Sequence, residues 1–289
     1  MDVAIQLLLS GLTVGALYGA IGMGYVIVHR LTGMVNFAMG DIAAAGGFGA
    51  VVLAGVVPPF VAILGGAAVA ALVSVAMYHA AIRALQKHGL MVQTIVTLGV
   101  SIIIRSALLL LFGTDPSQFD PITGGDALNI LGGHIIPESL WVIGLAVVGW
   151  LVLTLFFDRT LPGKALSAFS VNAYAAQVVG ISLPVMATIA FAFSGGIAGL
   201  VMAAQTPTSS VTADIGVTLG LQGFMAAILG GFENLRLTLV GGFLIGIVSQ
   251  VVARFVSSQQ QWTILFALLI VLLVVRPQGL TRKVVSDRV

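Results

Sequence analysis

The sequence predicts an all-α, polytopic integral membrane protein with about eight or nine transmembrane helices, and three observations predict it. Charged residues make up only 8% of the 289 residues, against about 25% in an ordinary soluble domain, so the surface is too poor in charge to be solvated by water. Uncharged runs extend over Val3 to Val28, Ile42 to Ile82, Ser139 to Phe157 and Phe255 to Val275, and a spanning helix needs roughly 20 apolar residues. These runs are continuously apolar rather than alternating in segments of about 10 residues, which sets a β-barrel aside.

Breaking the runs at charges, prolines and glycines gives nine segments in order: Ile5 to Val28, Phe37 to Val57, Phe60 to Ile82, Met91 to Phe112, Leu140 to Phe157, Leu183 to Ala204, Val217 to Gly231, Leu237 to Phe255 and Trp262 to Val275. The second holds Asn36 at its edge, Asp41 and several glycines, and the seventh is short. Either is expected to be broken or re-entrant, which leaves eight full spans as the competing count. The N-terminus starts Met1-Asp2 with no basic region before a run of about 26 apolar residues, too long for a signal-peptide core. It reads as a membrane helix, and residues 1–289 read as one transmembrane domain.

Orientation follows from the basic residues, since short cytoplasmic loops carry the excess of Lys and Arg. With the N-terminus outside, Arg30, Arg83, Lys87, Arg159, Lys164, Arg236, Arg276, Arg282, Lys283 and Arg288 fall on the inner side. Only Arg105 and Arg254 do not. The Gly113 to Pro137 loop carries Asp115, Asp120 and Asp126 without Lys or Arg, and Gln205 to Gly216 carries only Asp214. Both loops are therefore expected outside, and the C-terminus in the cytoplasm.

In lipid, small residues let helix backbones approach closely, so the 36 glycines favour helix packing here. Gly11, Gly15 and Gly19 recur every four residues and make one smooth face for a neighbouring helix. Gly195 with Gly199, and Gly242 with Gly246, repeat the pattern. There is no cysteine, and the four histidines form no cluster with acids, so no metal centre is expected. The one Gly-Lys pair, Gly163-Lys164, is followed by Ala165, so a phosphate-binding loop of the G-x-x-x-x-G-K-[ST] type is absent from the sequence. If ATP drives this protein, another chain binds it.

Two charges sit where they are expensive: Asp41 near the start of the second segment and Arg105 within the fourth. A charge at the bilayer centre costs about 2.5–3.5 kcal/mol on insertion scales, and such residues usually face a protein interior or a wet cavity. Both are candidates for a solute path. The plainer readings are a helix cap or helix–helix hydrogen bond near the inner face for Asp41, and snorkelling toward the outer interface beside Asp115 for Arg105. Residues 162–184 form the longest inner segment, bracketed by Pro162 and Pro184. It reads equally as a docking element for a cytoplasmic partner or as an interfacial connector with an apolar face toward the helices.

Nearly the whole chain resembles the permeases of branched-chain amino acid ABC importers, in their H-type subunit. Asn36-Phe37-Ala38-Met39-Gly40-Asp41 resembles the family stretch N-F-A-H-G-D. Thr97-Leu98-Gly99-Val100-Ser101, Phe112-Gly113-Thr114-Asp115-Pro116, Ala226-Ala227-Ile228-Leu229-Gly230-Gly231, Gly241-Gly242 and Arg276-Pro277-Gln278-Gly279-Leu280 follow in the family's order. The resemblance implies a second homologous permease subunit, two cytoplasmic ATP-binding subunits that carry the ATP and Mg, and a periplasmic solute-binding protein. It implies no cofactor on this chain, no enzymatic activity, no nucleic-acid partner and residence in a bacterial inner membrane. It also makes Gly163 to Ile181 the element that couples to an ATPase, through Gly163, Lys164, Ala168, Asn172, Ala175, Ala176 and Gly180. Ser167 stands where the family usually has Arg, Val171-Asn172 where acids are common, Met39 in place of His, and Phe232-Glu233-Asn234 in place of G-x-G-S. Solute identity is therefore not carried over; branched-chain amino acids or a related small amide or carboxylate remain open.

On this reading the chain alternates between outward- and inward-open states, which a ligand shifts only through differential binding. Asn36, Asp41, Thr94, Thr97, Arg105 and Gln222 are its expected path residues. The alternative is an ion- or proton-coupled secondary transporter that uses Asp41 and Arg105. A membrane scaffold without transport is a third reading, and it gives those charges no role.

Overall fold

The computed structural model describes residues 2–124, 126–130 and 133–275. The basic tail and the 276–280 motif lie outside the described residues. Eleven helices account for nearly all of the rest: α1 (Asp2–Thr32), α2 (Met39–Ala54), α3 (Pro59–Met77), α4 (Leu90–Phe112), α5 (Pro137–Arg159), α6 (Leu161–Val171), α7 (Ala173–Val178), α8 (Leu183–Gln205), α9 (Ile215–Leu229), α10 (Leu235–Phe255) and α11 (Gln261–Val275). Each apolar run of the sequence has become a helix, and Pro59, Pro137 and Pro184 open α3, α5 and α8, where a missing N–H costs nothing.

Six helices among the described residues are long and apolar enough to cross a membrane: α1, α3 with its π and 3-10 extension to Leu85, α4, α5, α8 and α10. The second and seventh sequence segments become the short helices α2 and α9, and α11 is short as well. At 1.5 Å per residue, the 16 residues of α2 reach about 24 Å, less than a hydrocarbon core of about 30 Å. Its first ten residues are all buried, so α2 is an internal element with little lipid contact.

Close backbone approach organises the interior. A Cβ placed on Gly15 would lie 2.7 Å from the Gly242 carbonyl oxygen and from Phe243 Cα, and one on Gly11 would lie 2.6 Å from Ile247 Cα. Gly19 meets Leu239 in the same way, so α1 and α10 interlock along the three glycines. A second junction joins α2, α3 and α8, where a Cβ on Gly46 would stand 2.6 Å from Gly199 Cα, and one on Gly195 would stand 2.5 Å from the Ala70 carbonyl. Of the long helices α8 is the most enclosed and α4 the least.

The two ends of the bundle differ in charge. At one pole Arg236 lies 3.6 Å from Asp158, and the Arg30 guanidinium sits 5.2 Å from the centre of the Phe157 ring. At the other, the loop after α4 forms a small antiparallel hairpin, β1 (Leu128–Ile130) with β2 (Gly133–Ile135). That hairpin lies on the start of α1, where the His134 N–H donates to Gln6 Oε1 at 2.7 Å. The acidic loops meet there through a bridge between Ser117 and Val211. Glu138 fastens the loop by accepting from the Thr123 and Gly124 N–H groups at 3.0 and 2.9 Å.

Candidate functional site

The site begins where helix stops. α1 ends at Thr32, Gly33 turns the chain with a φ of +75°, a conformation glycine adopts without a Cβ clash, and residues 33–38 run non-helically to α2. Gly33 lies beside Leu90 at the start of α4, whereas Phe37 and Asp41 lie beside Thr97 and Ser101 further along it. The break therefore climbs into the bundle, and irregular backbone at such depth persists only where protein satisfies it.

Two side chains do so. Thr97 Oγ1 accepts from the Phe37 N–H at 3.0 Å and itself donates to the Thr94 carbonyl at 2.7 Å. Asn36 Oδ1 accepts from the Ala38 N–H at 3.1 Å, and its amide points to Met39 Sδ at 3.7 Å. Both residues are fully buried. Met39, which stands where the resemblance expects His, also takes a contact from Ser194 Oγ at 3.1 Å.

One turn later, in the first turn of α2 where the helix dipole favours an anion, Asp41 meets α4. Arg105 Nε donates to Asp41 Oδ1 and Arg105 Nη2 to Asp41 Oδ2, each at 3.2 Å. Ser101 Oγ donates to the same Oδ2 at 2.5 Å and accepts from Arg105 Nη2 at 3.2 Å. Asp41 is 1% exposed and Arg105 31%. The carboxylate fits because α9 offers no side chains opposite: a Cβ on Gly216 would lie 2.7 Å from Asp41 Cα and 2.8 Å from its carboxyl carbon. Gly40 and Gly220 bring α2 and α9 together in the same way.

The plainer reading of Arg105 is thereby corrected, and that of Asp41 holds as a helix–helix hydrogen bond but not in its depth. Arg105 turns inward to Asp41 instead of snorkelling toward Asp115, because an opposite charge lies within reach on the neighbouring helix. Asp41 lies half-way along α4 instead of near the inner face, because the break carries it inward.

Beside the pair opens a cavity of about 350 Å³, lined by Tyr25, Phe37, Leu98, Ser101, Ile102, Arg105, Val217, Gly220 and Leu221. A fixed ion pair in a membrane helix bundle, next to a cavity with few polar groups, suits recognition of a small solute better than bond-making chemistry.

The comparisons with known proteins point the same way. Residues 7–275 match the family model described as the branched-chain amino acid transport system permease component. The chain belongs to this permease family. The high-affinity branched-chain amino acid transport system permease protein BraD of Pseudomonas aeruginosa is 28% identical over 96% of this chain and 95% of its own length. LivH of Escherichia coli, a permease protein of the same description, is 25% identical over 96% and 94%. A probable LivH of Methanocaldococcus jannaschii is 25% identical over 82% and 78%. The chain is thus a multi-pass membrane permease.

Of the path residues read from the sequence, Asp41 and Arg105 are brought together at the cavity. Asn36 and Thr97 instead hold the backbone of the break, Thr94 supplies a carbonyl, and Gln222 is buried with its Oε1 unpartnered. None of these four lines the cavity. Tyr25, Phe37, Ser101, Gly216 and Gly220 were not singled out as site residues. The four-residue spacings Ser101–Arg105 and Gly216–Gly220 are the signals that mark Ser101, Gly216 and Gly220, since each pair shares one helix face; no spacing marks Tyr25 or Phe37.

The segment read as a coupling element becomes the pair α6–α7. Gly163 packs against the backbone of Phe156 and Phe157, Lys164 is exposed, and Ala168 is half-buried. Asn172 ends α6 and caps α7 by accepting from the Ala175 N–H at 2.9 Å. Ala176 is buried, Ala175 is exposed, and Gly180 turns with a φ of +89°. Leu166, Phe169 and Ala176 face the bundle, but Val171, Tyr174 and Val178 project outward. The apolar face expected toward the helices is therefore only half of the apolar surface.

Proposed function

We infer that this chain is a transmembrane permease subunit of an ATP-binding-cassette importer in a bacterial inner membrane, and that it moves branched-chain amino acids or a related small amide or carboxylate. The observation that carries this reading is the Asp41–Arg105 pair held beside a cavity in a chain of this permease family. The N-terminus lies outside and the described C-terminal helix leads toward the cytoplasm, in keeping with the basic pole at Arg30 and Arg236 and the acidic loops opposite. A periplasmic binding protein delivers solute at the acidic pole. Two ATP-binding subunits dock at the basic pole and carry the ATP and Mg; no cofactor is assigned to this chain.

A second homologous permease subunit covers the face of α4 and α9. Arg105 is about a third exposed there among Leu98, Ile102 and Val217, and a partly bare guanidinium against lipid tails is costly. On α6–α7, the exposed Val171, Tyr174 and Val178 offer an apolar knob to an ATPase, and Lys164 is exposed at the start of α6.

Replacing exposed Ala175 by Glu tests the docking assignment. In the reconstituted assembly, solute-stimulated ATP hydrolysis is expected to fall about fivefold or more, the scale of an interface hot spot, while the variant keeps its unfolding temperature. Full stimulation by solute would remove the coupling role of α6–α7. The ion-coupled alternative draws on the same buried charges, and uptake driven by a proton gradient with no ATPase present would establish it instead.

A further inference from the structure

Arg105 has binding capacity that the fold leaves unused. A guanidinium carries five N–H donors in a rigid plane. Asp41 takes the side edge through Nε and Nη2, and Ser101 takes a further Nη2 bond. The two Nη1 hydrogens have no partner among the described residues, although they lie within a span, where an unmet donor is expensive.

The direction of that edge is set by burial. Asp41 has both oxygens occupied and is 1% exposed, backed against Gly216, so its negative charge faces the protein. Arg105 is 31% exposed and lines the cavity. The pair is neutral as a whole, but the cavity sees its cationic end. Around that end stand Phe37, Leu98, Ile102, Val217 and Leu221, apolar walls suited to an aliphatic body. A volume of about 350 Å³ lies at the small end of ligand pockets.

We propose that Arg105 presents its Nη1 edge to this cavity as the binding point for the carboxylate of the transported solute, with the apolar walls taking the branched side chain. This rests on the permease reading and deepens it. An N–H···O⁻ bond from a guanidinium is charge-assisted. Only one edge is available, because Asp41 keeps the other, so the site holds a carboxylate and also releases it. Asp41 and Ser101 are positioning residues here: they fix the plane of the guanidinium and do not touch the solute.

The chain has no cysteine, which makes the test direct. Ile102→Cys places a single thiol on the cavity wall. In vesicles that hold the complete assembly, its reaction rates, each divided by the same reagent's rate with a free thiol in solution, are compared for an anionic sulfonatoethyl and a cationic trimethylammonioethyl methanethiosulfonate. The anionic reagent is expected to react about tenfold faster, the lower end of charge focusing in a low-dielectric cleft. Added 4-methylpentanoate slows the reaction, whereas 3-methylbutylamine, with the same apolar body and a positive charge, does not.

Arg105→Gln removes the preference for the anion. Arg105→Lys keeps it, which separates charge from any loss of folding. Equal rates, a preference for the cation, no reaction with either reagent, or equal protection by both probes would each overturn the subsite. ATP-driven solute uptake is scored on the same vesicles. Uptake without an anion preference removes the subsite and leaves the permease reading standing; absence of uptake in the cysteine-free parent removes the permease reading itself.

Discussion

Where α1 meets α10, Gly11, Gly15 and Gly19 lie against Leu239, Gly242, Phe243 and Ile247; where α2 and the break before it meet α4, a carboxylate meets a guanidinium and one hydroxyl, and a second hydroxyl takes a backbone N–H. Both seams answer one problem. Lipid tails are as apolar as leucine, so no hydrophobic force draws helices together, and either close van der Waals packing or interhelical polar bonds must do so. The glycine seam rests on close packing, with a hydrogen bond between Tyr18 and Ser249 beside it, and any displacement opens a void. The polar seam uses bonds that another charged or polar group is able to take over. The first is suited to a fixed frame and the second to a place where solute is handled, and the cavity opens on the second.

The sharpest way to break this comparison is to remove one charge. Asp41→Ala leaves Arg105 without its partner among apolar neighbours, and the loss of one member of a buried pair costs about 3–5 kcal/mol. Thermal unfolding of the purified protein should show that loss, and the double variant Asp41→Asn with Arg105→Gln should recover most of it by leaving two neutral, hydrogen-bonding amides. A single variant as stable as the parent would mean that the pair does not hold the polar seam together.

At the other seam the effect is steric. Gly15→Leu drives a side chain into the Gly242 carbonyl and Phe243 Cα, both 2.7 Å from a Cβ at that position, and overpacking of this kind costs about 1–3 kcal/mol. The loss should appear as a lower unfolding temperature with no change in solute preference. An altered preference at unchanged stability would reverse the roles given to the two seams.

How much of this was legible beforehand differs between the seams for the same physical reason. Glycines every four residues fall on one helix face whatever surrounds them, so the frame could be read from spacing, as could the nine apolar segments, the interruption in the second and the shortness of the seventh. The polar seam is made of residues 60 and 64 positions apart. The sequence marked Asp41 and Arg105 as expensive but held nothing to show that they pay for each other, because pairing depends on how deeply the break carries α2 into the bundle. That depth follows from the turn at Gly33, and Thr97 satisfies the Phe37 N–H once the chain is there. Asn36 and Thr97 read from the sequence as path residues by their polarity, and polarity marks a buried hydrogen-bonding duty as readily as a wet surface. The outward turn of Tyr174 and Val178 was hidden because six residues of α7 are too few to show an amphipathic period.

The smallest expected effect tests that last distinction between duty and path. Thr97→Val is nearly isosteric and leaves the Phe37 N–H unpaired inside the bundle, a cost of about 1–3 kcal/mol. If Thr97 serves the backbone of the break, the variant loses stability while the anion preference of a thiol at position 102 stays as in the parent, since the Asp41–Ser101–Arg105 cluster is untouched. If Thr97 lines the path, the order is reversed: stability holds and solute handling changes. Measuring both quantities on one variant separates the break, which positions the site, from the pair, which makes it.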